Sequence, residues 1–177
     1  MDLITAARKG KEDAFLRLFD EHHLPMFRFA YRLTGSAADA EDIVQESFLA
    51  VLHTGCRYDP NRSSVRSYLF GAVRNQALKR HRDHGKTEDA ADAVDYRSPE
   101  DEAMRTELER AVGQAVMRLA ENQRAVLILA HYEQMPLAEI AEVMEIEISA
   151  VKSRLQRARA SMKEALAAYT PGAGERL

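Results

Sequence analysis

The 177-residue sequence holds one cysteine, Cys56, so an internal disulfide and a cysteine-built zinc site are both excluded. A lone thiol without a redox pair is read as structural or incidental. No apolar run approaches the roughly 20 residues that cross a bilayer. The opening MDLITAARKGKEDAF lacks the apolar core and cleavage site of a secretory signal, so the chain is expected to be cytoplasmic. Alternation of apolar and polar residues with period two is nearly absent, which argues against strands. Internal repeats and low-complexity tracts are missing as well. What is left is a chain of 46% hydrophobic and 30% charged residues, long enough to bury a core in one or two small domains.

Charge is present in both signs but unevenly placed. The formal net charge is only -3, yet Arg57 to Arg82 carries seven basic residues against Asp59 alone. Asp83 to Glu102 carries eight acidic residues against Lys86 and Arg97. Val151 to Lys163 is basic again, with Lys152, Arg154, Arg157, Arg159 and Lys163 and no acid. Basic, acidic and basic blocks in that order suggest two polyanion-binding parts joined by a segment that must not bind the same polyanion.

Apolar residues fall at helical spacings, so the fold is expected to be all-α. Glu12 to Leu33 places Phe15, Leu18, Phe19, Phe27, Ala30 and Leu33 largely on one face, and Pro25 is expected to kink or break that helix. Gly35 ends it, and Ser36 caps a second helix over about Ala37 to Leu52. Ala40, Ile43, Val44, Phe48 and Leu52 form its inner face, opposite Asp39, Glu41, Asp42, Gln45 and Glu46. The turn-rich GCRYDPNRSS leads to a helix from Val65 to about His81. Large apolar residues nearly vanish from Asp83 to Glu102, which reads as a flexible linker. Periodicity returns with Leu108, Val112, Val116 and Leu119 and, past a joint near Asn122 and Gln123, with Val126, Leu127 and Leu129.

The segment PLAEIAEVMEIEIS precedes the last basic block. Pro136 starts a short helix with Leu137, Ile140, Ala141 and Met144 on one face, and Ile146 and Ile148 plug the angle before a second helix capped by Ser149. Val151, Leu155, Ala158, Met162 and Leu166 face inward, so the basic residues face out. This is a helix-turn-helix whose second helix suits a major groove. Lys152, Ser153, Gln156 and Arg157 are the candidates for base edges, while Arg154, Arg159 and Lys163 suit phosphates.

The stretch LAEIAEVMEIEISAVKSRLQRARASMKEAL resembles the C-terminal promoter-reading region of the extracytoplasmic-function sigma factors of bacterial RNA polymerase. Its pattern is E-I-A-E-x-x-x-I-x-x-x-x-V-K-S-R-L-x-R-A-R. Upstream, LFDEHHLPMFRFAYRLTGSAADAEDIVQESFLAVL is similar to the family's N-terminal domain, and YDPNRSSVRSYLFGAVRNQALKRHR to the segment that follows. The three blocks stand in family order across about Ala14 to Leu166.

The resemblance implies two helical domains near residues 1–82 and 103–170, an acidic linker at 83–102 and a tail at 171–177. It implies a non-enzymatic, cofactor-free subunit that binds core RNA polymerase and promoter DNA. Asp39, Asp42, Gln45 and Glu46 would dock on a basic polymerase surface. The loop Asp59, Asn61, Arg62, Ser63, Ser64 and Arg66 would hold a flipped base of the non-template -10 strand. Arg74, Asn75, Lys79, Arg80 and Arg82 would grip nearby backbone, with Tyr68 and Phe70 mostly core. Ser149, Lys152, Ser153, Arg154, Gln156, Arg157, Arg159 and Lys163 would serve the -35 duplex. An anti-sigma factor is a further implied partner.

Some positions depart from the family's pattern. Glu145 stands where glycine is common, leaving open an altered turn or one without positive φ. Ala150, Tyr68, Val65 and Lys79 replace a frequent threonine, tryptophan, phenylalanine and aspartate. Two other readings compete: a mimic that sequesters an anti-sigma factor, and a homodimeric helix-turn-helix repressor. The first predicts lost basicity in the reader, and the second leaves AEDIVQESF unexplained. HRDH, His81 to His84, superficially resembles a kinase catalytic loop, but no glycine-rich phosphate loop or Asp-Phe-Gly accompanies it. Those histidines are read as solvated or near DNA, His22 and His23 as surface or interface residues, and no metal is expected.

Overall fold

The computed structural model describes residues 2–53, 57–84 and 106–169. Cys56, the linker beyond residue 84 and the tail at 171–177 lie outside the described residues. Among the described residues every regular element is helical: α1 (Leu3–Arg8), α2 (Glu12–Thr34), α3 (Ala37–Leu52), α4 (Val65–His84), α5 (Glu107–Arg118), α6 (Glu121–His131), α7 (Leu137–Met144), α8 (Ile148–Ala165) and a 3₁₀ turn at Ala167–Tyr169.

Local chemistry sets most boundaries. Gly35 adopts φ +74° and donates its N–H to the Tyr31 carbonyl at 2.7 Å, closing α2 as only a residue free of Cβ does cheaply. The Ser36 hydroxyl accepts the Asp39 N–H at 3.2 Å and opens α3. Thr106 and Glu109 cap α5 reciprocally, each side chain taking the other's backbone N–H.

Three expectations are corrected here. α2 runs unbroken through Pro25. Leu18, Met26, Phe29 and Ala30, on both sides of the proline, are fully buried, and at about 1.5–3 kcal/mol for each large side chain their burial outweighs the roughly 3 kcal/mol cost of an internal proline. The joint expected at Asn122 lies earlier, where Leu119 and Ala120 take extended backbone and Leu119 turns into the core. Leu108 and Ile148 are 48% and 43% exposed rather than inward-facing, so Ile146 alone packs in the corner between α7 and α8.

Helices α1 to α4 form one unit and α5 to α8 another, but their apolar interiors merge into one core containing Phe29, Phe70, Ile128, Ile140 and Val151. α4 lies along α7, and α2 packs on α5 and α6. Arg124 fastens this junction. Its guanidinium donates to the Leu33 carbonyl at 2.6 Å and to those of Met117 and Leu119 at 2.5 and 3.1 Å. One cation therefore satisfies orphan carbonyls at the C-terminal ends of both α2 and α5. Nearby, a Cβ on Gly35 would press on the Met117 methyl at 3.2 Å. Among the described residues, no helix is long and apolar enough to cross a membrane.

Candidate nucleic-acid interface

The second helix of the helix-turn-helix is α8. Val151, Leu155 and Ala158 bury one side of it against α6 and α7, which turns Ser149, Lys152, Ser153, Gln156, Arg157 and Lys163 outward along a single exposed face. Arg154 and Arg159 fall on its two flanks. Arg154 is half-buried, and the Arg159 Nε–H donates to His131 Nε2 at 3.2 Å. Ser149 is not the cap: the helix begins at Ile148 and Glu147 is the N-cap, without a side-chain hydrogen bond. The hydroxyl is thereby placed on the exposed face with the readers.

The turn before α8 answers the question left by Glu145. Its backbone sits at φ +54°, ψ +44°, the left-handed conformation that glycine adopts freely, and its N–H reaches the Ala141 and Glu142 carbonyls. A side chain there costs about 1 kcal/mol, so this turn keeps its geometry at some expense.

α4 splits the first basic block in two. Asn75, Lys79 and Arg82 form an exposed stripe at spacings of four and three. One turn N-terminal to Asn75, the same side of α4 is covered by α7, where a Cβ on Gly71 would sit 3.8 Å from the Val143 carbonyl oxygen. Arg66 and Arg80 lie elsewhere and are engaged by other elements, while Arg74 donates to the Asn75 Oδ1 beside it at 3.3 Å. Arg66 donates to the Glu133 carbonyl at 2.7 Å, approaches the Glu133 carboxylate at 3.8 Å and lies over the Phe70 ring at 5.5 Å. Burial pushes the Glu133 carboxyl above its ordinary range, against the pull of Arg32, Arg66 and Arg28. Arg32 also stacks on the neighbouring Tyr132 ring at 4.2 Å. Burial lowers Arg74 from its usual value, with Arg154 adding to this and Glu145 and Glu121 opposing it.

The loop before α4 is organised by its own side chains. The Asp59 carboxylate accepts the Asn61 N–H at 2.9 Å, and the Ser64 hydroxyl accepts the Ser67 N–H at 3.0 Å while donating to the Ser67 hydroxyl at 2.9 Å. Asn61, Arg62 and Ser64 remain exposed, and Ser63 partly so. Phe70 is fully buried against Phe29, whereas Tyr68 is half-buried and edge-on to Tyr58 at 5.1 Å.

The acidic face lies on α3. Asp39, Asp42, Gln45 and Glu46 share one side of the helix, and Arg80 reaches across from α4 to Asp39, Asp42 and Glu46 at 2.9, 3.1 and 3.3 Å. Burial opposes the Arg80 charge, but the hydrogen bond and charge of Asp42, with Glu46 and Asp39, prevail and raise it above its usual value. Leu49 extends the same stripe and is 61% exposed. Sequence reasoning missed it, although its spacing of seven from Asp42 is a detectable signal. Next to it, Phe19 packs on Phe48 at 5.2 Å and on the His23 ring at 4.5 Å.

Comparison with known proteins follows the same division. Residues 18–87 match the family model described as sigma-70 region 2, and residues 109–162 that described as sigma-70, region 4. The chain is 32% identical over 174 residues to the ECF RNA polymerase sigma factor SigM of Mycobacterium tuberculosis, covering 97% of this chain and 86% of that protein. CnrH, solved in complex with the cytosolic domain of CnrY, is similar in structure with a TM-score of 0.72 and 26% identity, over 95% of this chain and 97% of that one. RpoE of Bartonella quintana, solved with the anti-sigma factor NepR, shares the fold at a TM-score of 0.66 and 22% identity, over 90% of this chain and 98% of that one.

Proposed function

The chain belongs to the extracytoplasmic-function sigma factors of the sigma-70 family, and from that premise we propose a working division of its surface. It is a promoter-specificity subunit of RNA polymerase and not an enzyme. The α8 face reads the -35 duplex, with Lys152, Ser153, Gln156 and Arg157 on base edges and Lys163 on phosphate. Asn75, Lys79 and Arg82 carry the -10 region, assisted by the Asn61 to Ser64 loop. Asp39, Asp42, Gln45 and Glu46, with Leu49 as an apolar anchor, dock on a basic surface of core polymerase in the cytoplasm.

The observation that carries this reading is the outward basic face of α8 on a helix-turn-helix inside a family match that also includes the acidic α3. The packed pair of units is its resting form, since Arg66 is held by Glu133 of the C-terminal unit and cannot serve DNA at the same time. Binding to polymerase then separates the units. An anti-sigma factor that holds them together is the natural inhibitor.

Run-off transcription by bacterial core RNA polymerase on a promoter library, with and without the chain, tests the reading. Initiation that depends on the chain and converges on a two-element motif is expected. A chain that binds core polymerase yet starts no transcript is a mimic instead.

A further inference from the structure

One feature of the α3 face goes beyond a docking patch. Three carboxylates, Asp39, Asp42 and Glu46, stand within about two turns of helix, and mutual repulsion would spread flexible side chains apart. Arg80 holds them together. Its Nη1 takes Asp39 Oδ1, and its Nη2 takes Asp42 Oδ2 and Glu46 Oε1. The Arg80 side chain is only 23% exposed, whereas those of Asp39, Asp42 and Glu46 remain 36%, 58% and 45% exposed. Arg80 cannot slide away freely, because it projects from the side of α4 that carries buried Val73 and Ala77, and its Nε is itself buried. The cluster keeps a formal excess of two negative charges, counted as three carboxylates against one guanidinium.

We propose that Arg80 is a positioning residue for polymerase docking: it fixes one oxygen of each of Asp39, Asp42 and Glu46 and presents their remaining oxygens as a preformed anionic face to a basic protein surface. The inference rests on the reading that α3 docks on core polymerase. Ordering three side chains before encounter removes part of the entropy cost that binding would otherwise carry. The planar fork suits the site because its two separated nitrogens reach Asp39 on one side and Asp42 and Glu46 on the other, whereas an ammonium offers its three donors from a single nitrogen on a flexible stem. Arg80 therefore acts through α3, in contrast to the exposed Asn75, Lys79 and Arg82 of the same helix.

The test is a fluorescence titration of the labelled full chain with bacterial core RNA polymerase. Wild type, Arg80→Ala, Arg80→Lys, Asp42→Ala, Glu46→Ala and the Arg80→Ala/Glu46→Ala double variant are compared, with thermal unfolding followed in parallel. Arg80→Ala is expected to weaken binding about 3- to 10-fold, the scale of a few partly exposed charge contacts. Arg80→Lys should recover only part of the loss, and the loss should shrink in the Glu46→Ala background because the two residues act together. Tighter binding by Arg80→Ala would make the arginine a competitor of polymerase and overturn the proposal. So would unchanged core affinity with weakened opening of the -10 region, the mark of a direct DNA contact. Additive losses that track the melting temperature would reduce Arg80 to a fold-stabilising tie. Silence of both Asp42→Ala and Glu46→Ala would remove the docking face itself, and that failure is distinct from all the others. If Arg80→Ala does not fold, Arg80→Lys carries the same comparison.

Discussion

The two basic helices of this molecule use their arginines differently. On α8, Lys152, Gln156 and Arg157 are open to solvent, and the apolar side of the helix is fully occupied by its own unit. On α4, Arg66 is engaged by Glu133 of the C-terminal unit, Arg74 donates to Asn75 on its own helix, and Arg80 is held by α3. A basic count per helix therefore says little about readiness to bind nucleic acid. What matters is which cations still have unused donors, since a guanidinium already bonded must give up those bonds before it can neutralise a phosphate. The basic face of α8 is presented by the free chain, while that of α4 is only partly so.

The largest expected effect on transcription breaks the presented side. Arg157→Ala should cut initiation at promoters that depend on the upstream element by about 10- to 100-fold, the equivalent of roughly 1–3 kcal/mol of base discrimination. Run-off transcription against a library randomised at that element checks it, and relaxed preference at one position distinguishes lost readout from lost phosphate contact. Lys163→Ala should instead weaken all sequences alike.

A second change breaks the junction that hides α4. Arg124→Ala leaves the Leu33, Met117 and Leu119 carbonyls without their shared donor and should cost roughly 2–4 kcal/mol, read as a lower unfolding midpoint in urea. Small-angle scattering should show a larger radius of gyration. Single-stranded -10 DNA should bind the variant better than the parent as Arg66 comes free of Glu133. An unchanged radius would show that apolar contact alone keeps the units together.

The smallest effect sharpens the comparison at the turn into α8. Glu145→Gly should relieve the left-handed backbone and stabilise the chain by about 1 kcal/mol or less, measured by thermal unfolding. Because Glu145 also favours the charge of Arg74, the same change should loosen the junction and offset part of the gain. High salt should reveal the full increment by screening that attraction.

Much of this was legible in the chain. The caps at Ser36 and Gly35, the span of α3 and the outward side of α8 follow from local chemistry and the 3.6-residue period, both of which act over a few neighbouring residues. The continuity of α2 through Pro25 was not legible, because it depends on what Met26 and Phe29 bury against from other helices. Leu49 escaped notice because a leucine in an amphipathic helix is by default assigned inward, and only its position on the Asp42 stripe says otherwise.

By itself, then, the sequence determined an all-helical chain with two family blocks, a helix-turn-helix and opposed charge blocks, because propensity, capping and periodicity are local. Only the tertiary structure decided how the cations are shared out: Arg80 to three carboxylates of α3, Arg66 to Glu133 and Arg124 to two helix ends. The physical reason is that a charged side chain's role is set by whichever partners packing brings within hydrogen-bond reach. Those partners lie 34 to 41 residues away for Arg80, 67 for Arg66 and 91 for the Arg124 contact to Leu33, distances over which no local pattern reports.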